Sequence, residues 1–118
     1  MNFIRKHLAG YPHAFRGIGF AFRHENNMMV HLAAAVAVLL INVTLSVSRT
    51  EWLITLMLIG MAWTAEVFNT SIEKLADHVS HEHHPLIGQV KDLAAGAVLV
   101  ICFAAAVCGL IIYVPYVW

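Results

Sequence analysis

Glu66, Asn69, Glu73 and Asp77 recur every three or four residues in Thr64–His78, a stretch that runs directly out of the apolar segment Trp52–Trp63. Ionisable groups at membrane depth are costly, and such positions mark functional sites by default. At about 100° per residue on a helix, the four side chains share an arc of roughly 80°. Val67, Ile72, Leu75 and Val79 fall on other faces. Two carboxylates a turn or two apart can divide labour. One takes a proton; another holds a hard cation such as Mg²⁺, which prefers a few carboxylates plus phosphate oxygens. Glu25, just before the first apolar run, could share that metal with Glu73. Lys91–Asp92 opens the third apolar run, and a lysine there can meet phosphate oxygens.

The elements that must position these groups are helices in a bilayer. The 118-residue chain is 60% hydrophobic and 12% charged, with a mean hydropathy of +0.74. A soluble domain is nearer a quarter charged. Formal net charge is zero, and no basic run exists to track the phosphates of a nucleic acid. One all-α membrane domain over residues 1–118 is expected, with transmembrane helices at 28–47, 52–72 and 93–114. Trp52, Tyr113, Tyr116 and Trp118 sit at run ends, as interfacial aromatics do, and Pro115 falls where the third helix should stop. Residues 1–24 mix Phe3, Ile4, Leu8, Phe15 and Ile18 with basic side chains, which suits an amphipathic helix at the interface, interrupted at Gly10, Tyr11 and Pro12. Met1–Arg23 has neither the long apolar region nor the small-residue cleavage site of a signal peptide.

Orientation follows from the cations. Arg5, Lys6, Arg16 and Arg23 precede the first span, Lys74 and Lys91 lie between the second and third, and Arg49 stands alone on the other side. The N-terminus and the 74–91 segment therefore face the cytoplasm. Trp52 to Glu66 is fourteen residues, or roughly 21 Å of helix. Glu66 thus reaches the cytoplasmic boundary, where a lipid head group sits, and Glu73 and Asp77 lie in reach of a water-soluble molecule.

Carboxylates, a lysine and a membrane boundary suggest phosphoryl transfer to a lipid, although no Gly-rich phosphate loop or kinase signature is present. Plainer readings stand beside it. Charged residues at a helix end are commonly just solvated, and a buried carboxylate could pair with Arg23 or Lys74. A non-enzymatic scaffold or channel subunit would use the stripe to hold a partner. The tract His78–His84 invites a divalent-metal transporter, with His78, His81 and Glu82 on one turn, but Pro85 and the polar run suggest a loop. His31 reads as a hydrogen-bonded core histidine. Cys102 and Cys108, six apart in an apolar run, face different directions and should not form a bridge.

Ala65–Leu99 closely resembles the bacterial diacylglycerol kinase and undecaprenol kinase family. The resemblance is carried by Glu66, Asn69, Thr70, Ser71, Ile72, Glu73, Asp77, His84, Lys91 and Asp92, and His13–His31 is similar to the family's surface helix and first span. It implies a small homotrimer in the bacterial inner membrane. Each protomer would have an interfacial helix and three transmembrane helices, with active sites between neighbouring subunits on the cytoplasmic side. It implies transfer of the γ-phosphate of MgATP to a lipid hydroxyl. Glu66 then matches the general base, with Asn69 beside it, and Glu25 and Glu73 match the metal-binding carboxylates. Asp77, Glu82, His83, His84, Lys91, Asp92 and His13 match nucleotide-site positions. Lys6 aligns where arginine is usual, so a bidentate contact would be lost, and Val90 replaces a usually small residue. Diacylglycerol-specific members usually carry a serine where Ala95 stands here. The AAGAV string, the HHPL segment and His31 look more like the undecaprenol branch, which makes undecaprenol the expected acceptor and diacylglycerol the alternative.

Overall fold

Residues 2–80 and 84–118 are described by the computed structural model. Every regular element among them is an α-helix: α1 Phe3–Leu8, α2 Tyr11–His24, α3 Asn26–Leu45, α4 Arg49–Val79 and α5 Pro85–Val117. By length and composition α3, α4 and α5 are each able to cross a membrane.

The α3–α4 hairpin is fixed by local chemistry. Ser46 turns the chain in a left-handed conformation with φ 50°. Ser48 then caps α4 reciprocally with Glu51: the Glu51 N–H donates to Ser48 Oγ at 3.2 Å and the Ser48 N–H to Glu51 Oε1 at 3.1 Å. From that start α4 runs unbroken for 31 residues, about 46 Å against a hydrocarbon core of about 30 Å. It therefore continues past the boundary expected at residue 72 and carries the polar stripe out of the bilayer on one rigid rod. No proline interrupts it.

Proline explains two departures from expectation. Pro85 lies not in a loop but at the first position of α5, where its fixed φ suits a helix start and its missing N–H costs nothing. Pro115 does not end α5; the helix continues to Val117. Its missing N–H removes one bond in the final turn, and the next turn still closes through Trp118 N–H to the Val114 carbonyl at 3.0 Å. At the N-terminus the break falls at Ala9–Gly10, and Tyr11 and Pro12 form the first turn of α2.

Packing is inverted relative to a soluble bundle. Among the described residues, five of the eight buried apolar ones are alanines (Ala21, Ala35, Ala62, Ala76, Ala94), whereas Leu40, Met57, Leu99, Val100, Phe103 and Leu110 point outward. Small side chains let helix backbones approach closely, and the large ones meet lipid, where apolar burial between helices gains little. α4 is the hub, packing on α5, α3 and α2.

Polar glue joins the three long helices at the end opposite the stripe. Asn42 is fully buried. Its Nδ2 donates to Thr55 Oγ1 at 2.8 Å, and Tyr113 OH donates to its Oδ1 at 2.5 Å. Tyr113 is thus a bundle contact rather than a free interfacial aromatic, and Tyr116 OH donates to Glu51. Asn42→Ala should lower unfolding stability in mixed micelles by about 1–2 kcal/mol and Tyr113→Phe by about 0.6 kcal/mol, the worth of interhelical hydrogen bonds in membranes. Wild-type stability in Asn42→Ala would remove this clamp from the account of the fold.

Candidate active site

The stripe on α4 changes character along its length. Glu66 is 2% exposed, Asn69 and Thr70 are buried, Glu73 is half-buried and Asp77 is exposed. Glu66 is not paired with Arg23 or Lys74. Its carboxylate Oε2 lies 3.4 Å from His31 Nε2, on α3. Lys74 instead sits over the Phe20 ring, 4.3 Å from its centroid. Nor is Glu66 held by Asn69, whose Nδ2 is directed to Glu73 Oε1 at 3.5 Å. Trp63, one turn before Glu66, packs edge-on against Phe22 with ring centroids 5.1 Å apart and directs its indole N–H at the His31 carbonyl, 3.4 Å away. α2, α3 and α4 therefore meet around the buried carboxylate. Pattern reading missed His31 as its partner; the available signal was a lone imidazole in an otherwise apolar span.

At the exposed end, Lys91 on α5 pairs with Asp77 on α4. This contact ties the last turns of α4 to the first turns of α5. Asp92 is exposed on the next face of α5, and His84 caps that helix by accepting from the Leu86 N–H at 3.1 Å through Nδ1. Glu82 and His83, with the histidine-tract metal reading that includes His81 and Glu82, lie outside the described residues. Glu25 occupies the α2–α3 junction, half-buried, with its carboxylate unused in capping. Lys6 and His13 are exposed on α1 and α2, and Arg16 Nη2 donates to His13 Nδ1 at 2.8 Å.

The donor chemistry fits a hard divalent cation brought in with phosphate. Glu73 and Glu25 offer carboxylates. Asn69 Oδ1 is buried and has no hydrogen-bond partner among the described residues. No group of three or more His, Cys, Asp or Glu among the described residues could hold a metal alone. Mg²⁺ needs no such cage, because one or two carboxylates plus substrate phosphates suffice.

Residues 12–113 match the family described as prokaryotic diacylglycerol kinase. Over 114 residues the chain is 40% identical to an undecaprenol kinase of Bacillus subtilis, covering 97% of this chain and 93% of the relative. A diacylglycerol kinase of Pseudomonas aeruginosa is 39% identical over 90 residues, 76% of this chain and 68% of the relative. A diacylglycerol kinase of Synechocystis sp. is 28% identical over 109 residues, 92% of this chain but only 62% of the relative's length.

The Asp77–Lys91 pair separates stability from ligand effects. Its side chains are 59% and 38% exposed, so solvent screens it, and breaking it should cost little stability. If Lys91 is there for phosphate, Lys91→Ala should weaken MgATP binding by far more than it weakens the fold. Equal losses in calorimetric binding and in unfolding would make the pair a structural clasp.

Proposed function

The chain belongs to the prokaryotic diacylglycerol kinase family, and from that membership we propose that it transfers the γ-phosphate of ATP to the terminal hydroxyl of undecaprenol at the cytoplasmic face of the bacterial inner membrane. The observation that carries the choice of lipid is the 40% identity to an undecaprenol kinase along 97% of this chain. Ala95, where the family resemblance implies a serine in diacylglycerol-specific members, supports the same reading. Diacylglycerol is the second reading, favoured by the relative in Pseudomonas aeruginosa.

In this reading the stripe divides the reaction. The acceptor hydroxyl is tethered to the interface by its chain, so the base must stand at lipid depth. Glu66 takes the hydroxyl proton as the acceptor oxygen bonds to the γ-phosphorus and the bond to the β–γ bridging oxygen breaks, releasing ADP. Asn69 and Glu73 form the bridge between lipid and nucleotide, and Lys91 with Asp77 lies on the nucleotide side. Glu25 and Glu73 would hold Mg²⁺, which would neutralise phosphate oxygens when bound. Glu82, His83, His84, Asp92, His13 and Lys6 are assigned to the nucleotide side from the family resemblance alone.

Assembly as a homotrimer belongs to the same proposal. Within one chain the described residues provide few metal donors, and a neighbouring copy would complete the set. The basic and apolar residues of α1 and α2 then lie along the inner interface, where Arg5, Lys6, Arg16 and Arg23 meet anionic head groups.

Two measurements test this. Purified protein in micelles, given γ-labelled ATP and undecaprenol, diacylglycerol or ceramide, should label undecaprenol with the highest kcat/KM; preferential labelling of diacylglycerol would move the chain to the second reading. Glu73→Gln should lose most activity and regain only part of it at raised Mg²⁺. Full activity at ordinary Mg²⁺ would take Glu73 out of the metal site.

A further inference from the structure

An intramembrane cavity of about 260 Å³ lies among α3, α4 and α5. Its walls are mostly small or aliphatic, including Ala35, Val38, Leu58 and Ala62, with Thr55 and Tyr113 toward the outer clamp. His31 lines the same cavity, and its ring turns Nε2 to Glu66 Oε2 at 3.4 Å. The His31 side chain is 13% exposed and that of Glu66 3%. α4 also fixes the His31 backbone, through the Trp63 indole N–H directed at its carbonyl. His31 is thus anchored at both ends on the helix that carries the carboxylate.

A carboxylate has two oxygens and about four lone-pair sites. The neighbouring donors on the stripe go elsewhere: Asn69 to Glu73, Lys91 to Asp77, and Lys74 to the Phe20 ring. We propose that His31 is the positioning residue of Glu66: its Nε2–H donates to Oε2, locks the carboxylate rotamer and leaves Oε1 facing the acceptor hydroxyl. This rests on the reading of Glu66 as the base. Nε2 carries the hydrogen in this arrangement, whichever charge the ring bears. A glutamate without such an anchor has three rotatable bonds. A base is effective only within hydrogen-bond reach, and a displacement of about 1 Å can cost on the order of 10²-fold in rate. Because His31 borders the apolar cavity rather than the Asp77–Lys91 end, its loss should act on turnover and on the lipid, not on the nucleotide.

The test uses full-length protein in micelles carrying His31→Leu, His31→Gln or Glu66→Gln. His31→Leu should lower kcat by about 10- to 100-fold and leave KM for MgATP near wild type. His31→Gln, whose amide restores an N–H donor, should recover much of that loss. Unchanged kcat in a folded His31→Leu, with Glu66→Gln inactive, overturns the proposal alone. Full turnover in Glu66→Gln overturns the base reading and the proposal with it. A second readout is independent of activity and survives a His31→Leu that fails to fold. The imidazole ¹⁵N signal that disappears in His31→Gln should shift in Glu66→Gln; an unmoved signal contradicts the contact.

Discussion

A carboxylate buried inside a membrane bundle is the constraint around which the rest is arranged. Glu66 is 2% exposed, and its partner is an imidazole 3.4 Å away on the preceding long helix. A charged side chain placed in hydrocarbon costs about 2.5–3.5 kcal/mol on insertion scales. Such a group persists only where it faces the bundle interior and finds a partner. Buried alanines line the seams of α3, α4 and α5, and one turn from Glu66 the Trp63 ring packs on Phe22 of α2.

The length of α4 turns that buried group into one end of a gradient. A helix of 31 residues cannot fit within the hydrocarbon core. Its capping box fixes one end, and the polar surplus lies at the other, where Asp77 meets Lys91 of α5. One rod thus carries a dry carboxylate and a wet one. The Asn42–Thr55–Tyr113 clamp at the far end ties the three helices together, while at the other end Asp77 and Lys91 are exposed enough to meet solvent. Rigidity at one end and exposed polarity at the other suit a reaction in which a lipid and a nucleotide arrive from different phases.

Much of this was legible in the chain itself. The three apolar runs gave three helices because hydropathy over about 20 residues reports the bilayer directly, and the 3.6-residue period placed Glu66, Asn69, Glu73 and Asp77 on one face. Other features were not legible, for identifiable reasons. The His31–Glu66 contact joins residues on two different helices, and periodicity says nothing about which faces meet. Asn42 and Thr55 stand in two different apolar runs, and only helix packing puts them together. In the sequence Pro85 suggests a loop and Pro115 a helix end, but a proline in the first turn of a helix costs nothing and one in the last turn costs a single bond. The exposed ends of α4 and α5 extend beyond the apolar windows because helix continuity, unlike membrane crossing, does not require hydrophobicity.

The division of labour along α4 is tested most directly by measuring, on one purified Glu66→Gln sample, phosphate transfer at saturating ATP and equilibrium affinity for MgATP. The substitution preserves size and insertion while removing the proton acceptor. The account predicts turnover reduced roughly 10²–10⁴-fold, as loss of a general base entails, with nucleotide affinity and assembly intact. Collapse of affinity with turnover preserved would make Glu66 a binding residue and contradict the account.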